Sequence, residues 1–304
     1  MITVLLSLVP VMLLIGLGFA LRRYGFPGEP FWPATERVIY FILFPALLID
    51  SLSKADLGPL NVLPVAAAMT AGTLFVAGLV VAAKPFLRLD GAAFTSVFQG
   101  AVRFNTYVGI AAAFAMFGAV GTTLSAVVMA VLIPLANVLS VLALLRYGPV
   151  SATSRRYIVT QLLKNPLILG CVGGLLLNGL GTTLPPGLDD AVHFLGRAAL
   201  PLGLLAVGAG LEPDGMAADN RAIVATCIFR LILMPLSFLA FCVLFGVEGV
   251  TATVAVLFAS LPAASTAYIL ARQMGGDAPL MANIITLSTI VSAVTMPVMI
   301  ALAR

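Results

Sequence analysis

Ten apolar runs separated by short polar punctuation constrain this chain more than any other feature. They fall at roughly 3–21, 34–51, 60–83, 92–117, 122–146, 164–180, 187–211, 221–246, 250–272 and 279–303. Each is near the ~20 residues that a helix needs to cross the hydrocarbon core of a bilayer. The 304 residues are 61% hydrophobic and 9% charged, against about 25% charged in an ordinary soluble domain. No fold of this length buries that much apolar surface from water, so lipid is the solvent. In lipid every backbone N–H and C=O must be satisfied inside the protein, which helices do segment by segment. The expected fold class is an all-α membrane protein with ten transmembrane helices.

Charge placement orients the spans, because Lys and Arg collect on the cytoplasmic side. With the N-terminus outside, the inner side receives Arg22, Arg23, Arg37, Lys84, Arg88, Arg146, Arg155, Arg156, Lys164, Arg221 and Arg272. The outer side receives only Lys54 and Arg304. Both termini are therefore expected outside a multi-pass protein of a bacterial inner membrane. The first run lacks a basic leader and a small-residue cleavage site, so it reads as a retained span. The basic residues are scattered at span ends, which disfavours a nucleic-acid partner. Cys171, Cys227 and Cys242 lie in apolar runs without a CxxC or Cys/His cluster, so neither a disulfide framework nor a metal site is expected.

The basic loop at 148–163 divides the chain into a first five-span repeat, 1–147, and a second, 164–304. Because five is odd, a repeated fold must be inverted in the membrane. The halves echo each other: Phe44–Ser53 reads FPALLIDSLS and Leu200–Leu211 reads LPLGLLAVGAGL. Spans four and nine are both unusually polar near mid-length, with RFNTY at Arg103–Tyr107 and SLPAASTAY at Ser260–Tyr268. Inverted repeats with interrupted helices at matching positions point to the midplane site of a secondary transporter.

The same segments resemble bacterial members of the auxin efflux carrier family, related to the plant PIN carriers. The resemblance spans essentially the whole chain. It rests on FILFPALLI in span two and RFNTYVGIA in span four. In the second half it rests on NPLILGCVGGLL, ALPLGLLAVGAGL, ASLPAASTAYILARQMGGD and TLSTIVSAVTMP. It implies an inverted 5+5 repeat in which broken helices four and nine cross, an architecture like that of sodium/proton antiporters and bile acid symporters. Spans 1, 2, 6 and 7 would form a scaffold, and spans 3–5 and 8–10 a moving transport domain. It further implies elevator-type alternating access for a small organic anion, with malonate and auxin as examples. Two departures stand out: the central loop is short, and span four has no proline at its crossing, whereas span nine has Pro262. The break in span four then rests on Asn105 and Gly109.

Arg103 lies about eleven residues into span four. An arginine at such depth costs roughly 2.5–3.5 kcal/mol on insertion scales. It is either a fixed charge for a carboxylate substrate, which guanidinium suits by its bidentate geometry, or a structural ion pair or snorkelling side chain. Asn105, Thr106 and Tyr107 can cap the ends of a broken helix, whose N–H groups also attract anions. In span nine, Pro262 removes a helical hydrogen bond, while Ser265, Thr266 and Tyr268 offer hydroxyls. These eight residues are the candidate substrate site. Arg230 reads as a partnered or inward-snorkelling residue, Asp50–Arg197 as a structural pair or a gate between spans that the inverted repeat would make neighbours, with structure favoured, and the lone His193 as bland.

The acidic residues cluster in loops and at span ends, with no carboxylate pair at mid-membrane. This argues against cation exchange. Coupling to H+ has Asp50, Asp277 and His193 as its only candidates. Coupling to Na+ has neutral oxygens at Gln99, Asn105 and Thr106, which suit a hard cation. Uncoupled transport is a third option. The alternatives to an anion carrier are a sodium-coupled carboxylate or bile-acid-like symporter and a channel-like protein. A channel would spread polarity along several helices rather than concentrate it at one depth of two. An enzyme is not expected, since no acidic cluster, HExxH or Ser/His pair is present. No cofactor is expected beyond a coupling ion. The expected partners are the substrate, the bilayer and a second copy meeting through the scaffold helices.

Overall fold

The computed structural model describes residues 2–28, 30–54, 62–148, 164, 166–211, 220–264 and 266–303. Ser265 and most of the central loop lie outside the described residues. Within them every regular element is a helix. The first half holds α1 (Ile2–Arg23), α2 (Phe31–Val38), α3 (Phe44–Ser53), α4 (Val62–Leu87), α5 (Gly91–Val102) and α6 (Thr106–Tyr147). The second holds α7 (Pro166–Gly179), α8 (Leu188–Ala209), α9 (Asn220–Ile228), α10 (Met234–Leu244), α11 (Gly249–Ala259), α12 (Thr266–Met274) and α13 (Ala278–Leu302). Among the described residues, five stretches are long and apolar enough to cross a membrane: Leu63–Leu87, Thr106–Tyr147, Leu188–Ala209, Asn220–Leu244 and Ala278–Leu302.

Two π-helical turns keep predicted spans continuous. Ile39–Leu43 joins α2 to α3, and Phe229–Leu233 joins α9 to α10. Each ends just before a proline, Pro45 or Pro235, in the first turn of the next helix. A proline in a continuous helix lacks an N–H and clashes with the preceding turn. The wider turn absorbs that misfit at the place where it arises.

The 42 residues of α6 are broken at Gly118, whose φ of 58° and ψ of −138° are accessible to glycine alone. The break separates the end of span four from span five. The second half of α6 then runs back antiparallel to α5. Phe94 meets Tyr147 edge-on at 4.9 Å, and Arg103 reaches Asn137. Asp90 starts α5 by accepting from the Ala93 N–H at 2.8 Å, and Asp277 starts α13 by accepting from that of Leu280 at 2.9 Å.

Close backbone approach fixes α1 against α8. A Cβ on Gly18 would sit 2.0 Å from the carbonyl oxygen of Leu205, and one on Gly208 would sit 1.8 Å from that of Ile15. Small residues let membrane helices gain packing contacts that lipid cannot supply. Arg22 adds a cap, donating to the Ala209 carbonyl at the end of α8 at 2.8 Å. Helix α3 packs on α7 and α8, while α4, α5, α6 and α9–α13 pack among themselves. Phe44 of α3 and Tyr107 of α6 stack face to face between these groups, 4.5 Å apart and 6° from parallel.

Candidate functional site

Two interruptions meet inside the protein. One separates α5 from α6 at residues 103–105, and the other follows the end of α11, at residues 260–264. The Asn105 N–H donates to the Pro262 carbonyl at 2.9 Å, and Phe104 pairs with Ala263 in an isolated antiparallel bridge. Backbone groups freed by each break thus find partners in the other, as lipid demands.

Side chains satisfy the remaining ends. The Asn105 Oδ1 accepts from the N–H groups of Tyr107 and Val108 at 3.1 and 3.3 Å, capping α6. At the opposite ends lies Arg230, 2% exposed. Its Nε donates to the Leu261 carbonyl at 2.7 Å and its Nη2 to that of Phe258 at 2.8 Å. Its Nη1 reaches the Ala101 carbonyl at 3.4 Å. One guanidinium therefore caps the C-terminal ends of both α5 and α11. Gly109 is not part of the break. It lies in α6, with its N–H on the Asn105 carbonyl, and packs against Leu261 and Phe258. The break falls four residues earlier because the Asn105 cap, not the glycine, fixes where α6 begins.

On the N-terminal side of the breaks is a cavity of about 50 Å³. Arg103, Asn105, Thr106, Tyr107 and Thr266 line it, joined by Tyr40 and Asn137. Arg103 is half-buried. Its Nη1 donates to the Asn137 Oδ1 at 2.7 Å and its Nη2 to the Thr266 Oγ1 at 3.2 Å. Its Nε is buried without a partner. Among the described residues no carboxylate forms an ion pair with Arg103.

These observations sit beside two likenesses to known proteins. Residues 151–300 match the model of the family described as membrane transport protein. An uncharacterized transporter from Methanothermobacter thermautotrophicus (strain ATCC 29096 / DSM 1053 / JCM 10044 / NBRC 100330 / Delta H) is 25% identical over 296 residues, covering 96% of this chain and 95% of the relative. The second half of the chain is thus similar to a membrane transport protein family, and nearly its whole length to an uncharacterized transporter. Together with the apolar helices, these likenesses support an integral multi-pass membrane transporter.

The remaining candidates of this transporter lie elsewhere. Pro262 contributes its carbonyl to the crossing, and Tyr268 is half-buried against the core. Gln99, four residues before Arg103, is fully buried with neither amide atom hydrogen-bonded. Asp277 caps α13 and is tied to the start of α5, its carbonyl accepting from Ser96 at 2.8 Å. Asp50 does not pair with Arg197. It accepts from Lys54 at 2.6 Å and contacts the His193 Nδ1 at 2.9 Å, while Lys54 also reaches Asp189 at 2.9 Å. The bond to Asp50 holds the Lys54 ammonium above its ordinary pKa. Lys54 lies one turn from Asp50 on the same face, whereas Arg197 sits on an exposed face of α8.

The sequence reading missed Asn137 and Tyr40. Asn137 is a polar residue deep in an apolar run, the same signal that singled out Arg103. Tyr40 carried no signal, since an aromatic within a span is ordinary, and only the π-turn that bears it brings it to the cavity.

Proposed function

We propose that the protein is a secondary transporter for a small organic anion, of the carboxylate class, bound in the cavity beside the crossing. One observation carries this reading: Arg103 is a cation with no carboxylate partner among the described residues, at the N-terminal ends of α6 and α12. Helix N-termini carry partial positive charge and favour anions. An unpaired guanidinium placed there lacks a counter-ion, and a substrate carboxylate supplies it. The cavity holds only a few water-sized volumes, which suits a compact acid. Asn105, Thr106, Tyr107 and Thr266 line the substrate's binding site, with Pro262, Ser265 and Tyr268 supporting it.

The architecture we infer is ten spans in two inverted repeats, 1–147 and 164–304, joined by 148–163. The tight packing of α1, α3, α7 and α8 supports a scaffold of spans 1, 2, 6 and 7. The other spans slide against it in an elevator motion, carrying the crossing with them. Both termini lie outside a bacterial inner membrane, and the scaffold face is the place for a homodimer. One observation favours a sodium-coupled version: the buried, unpartnered amide of Gln99, one turn from Arg103. Sodium-dependent stabilisation by substrate is its signature.

The test is uptake of acetate, propionate, malonate and succinate into proteoliposomes containing the wild type, Arg103→Lys or Arg103→Ala. Losing two charge-assisted bonds of about 1.5–3 kcal/mol each lowers uptake by Arg103→Ala at least ~100-fold. Arg103→Lys retains only a fraction, because ammonium lacks the planar fork. Unimpaired uptake by folded Arg103→Ala removes Arg103 from the site.

A further inference from the structure

We propose that Arg103 turns the cavity wall into a hydrogen-bond-donor surface, and that Asn137 thereby selects an ionised carboxylate over its neutral amide. This rests on the reading that the cavity is the anion site, and it gives that site a chemical filter.

Donor chemistry carries the argument. A guanidinium has five N–H donors and no acceptor, so any group bonded to Arg103 must present an acceptor atom to it. For Asn137 this atom is Oδ1, at 2.7 Å from Nη1. The amide orientation is therefore fixed by its partner's chemistry. Its Nδ2, with two N–H groups, makes no hydrogen bond among the described residues. Thr266 is held the same way. Its hydroxyl oxygen accepts from Nη2 at 3.2 Å, so its own proton is left to be donated elsewhere. The Thr106 hydroxyl likewise has no partner among the described residues. All three side chains line the cavity.

A carboxylate offers acceptor lone pairs only and matches this wall. A primary amide of the same shape replaces one acceptor with an N–H₂ group, which meets donors and leaves them unpaired. Sites built for one hydrogen-bonding pattern reject the analogue lacking it by as much as 10⁴–10⁵-fold. Asn137 is then a specificity-determining residue, and Arg103 is both a charge and the group that positions it.

Thermal-shift titration of the purified full chain tests this, with acetate, propionate, malonate and succinate set against acetamide, propionamide, malonamide and succinamide. A ligand of the folded state raises the melting temperature. For whichever acid does so, the amide is expected to bind roughly 100-fold more weakly. Asn137→Asp keeps an acceptor for Arg103 and removes both donors. It is expected to bind the acid at least roughly 30-fold more weakly, with no fall in the melting temperature of the unliganded protein. An amide binding within about threefold of its acid overturns the inference, as does wild-type affinity in Asn137→Asp. Should that variant not fold, the acid–amide comparison on the wild type decides alone. If no acid shifts the wild type, the anion-site reading itself fails, and this inference with it.

Discussion

Replacing Arg230 with methionine tests how the crossing is held. Arg230 is 2% exposed and donates to three carbonyls at 2.7, 2.8 and 3.4 Å. A hydrogen bond from a charged group contributes about 1.5–3 kcal/mol net, and the longest of the three is too stretched to add much. Losing the two short bonds therefore removes about 3–6 kcal/mol. Methionine fills similar volume and no longer buries a charge, which offsets part of the loss. A net destabilisation of about 3 kcal/mol remains, because the Phe258 and Leu261 carbonyls keep no partner for the lost bonds. By the scaling for domains of 150–250 residues, 1 kcal/mol lowers Tm by ~2–4 °C, so a fall of roughly 6–12 °C is expected. The three free cysteines are all buried, so a thiol-reactive dye reports their exposure during unfolding. Arg230→Lys should fall between the two, since an ammonium cannot span three separated carbonyls. If Arg230→Met melts within ~2 °C of the wild type, the capping argument is wrong.

Two further outcomes follow from the same geometry. Asn105→Ala removes the cap on the Tyr107 and Val108 N–H groups and should cost about 1–2 kcal/mol, read as a lower melting temperature in the same dye assay. Gly208→Ala drives a methyl into the Ile15 carbonyl and should destabilise by at least 1–3 kcal/mol. Gly16→Ala, on the same helix pair with nothing within 4 Å, should melt like the wild type. Equal melting of the two alanine variants would mean that α1 and α8 are not held at close approach.

Much of the helical layout is legible in the sequence because hydropathy and length are one-dimensional signals. The break in span four is legible too, as a polar cluster around Asn105 where lipid tolerates little polarity. What escapes depends on facing. Asp50 finds Lys54 one turn away, so the longer-range partner assigned to it, Arg197, is left exposed. Arg230 was readable as partnered, but its partners are backbone carbonyls, which every residue has and no motif marks. Asn137 shares a signal with Arg103, yet only the antiparallel return of α6 after Gly118 puts the two side by side. The eight-residue candidate site mixes two structural settings. Asn105 and Pro262 hold the crossing together, while Thr106 and Thr266 present hydroxyls to the cavity.

The two arginines at the crossing also separate structure from function by sign. Arg230 sits where α5 and α11 end, beside the partial negative charge of their carbonyls, so its charge is answered by the fold itself. Arg103 sits where α6 and α12 begin, beside partial positive charge, and among the described residues it bonds only to neutral side chains. Its charge is left unanswered by these neighbours, and the proposed anion would answer it. Neutralising the two residues should therefore have opposite consequences. Arg230→Met lowers the melting temperature whether or not substrate is present. Arg103→Met leaves the unliganded protein within about 1 kcal/mol of the wild type, since two lost hydrogen bonds are offset by relief of an unanswered charge. On the proposed reading, it should abolish any further stabilisation by a carboxylate, read as the ligand-dependent rise in melting temperature. On the proposed reading, the counter-ion of such a charge is the anion that is carried, and loss of ligand-dependent stabilisation in Arg103→Met alone is the result that tests it.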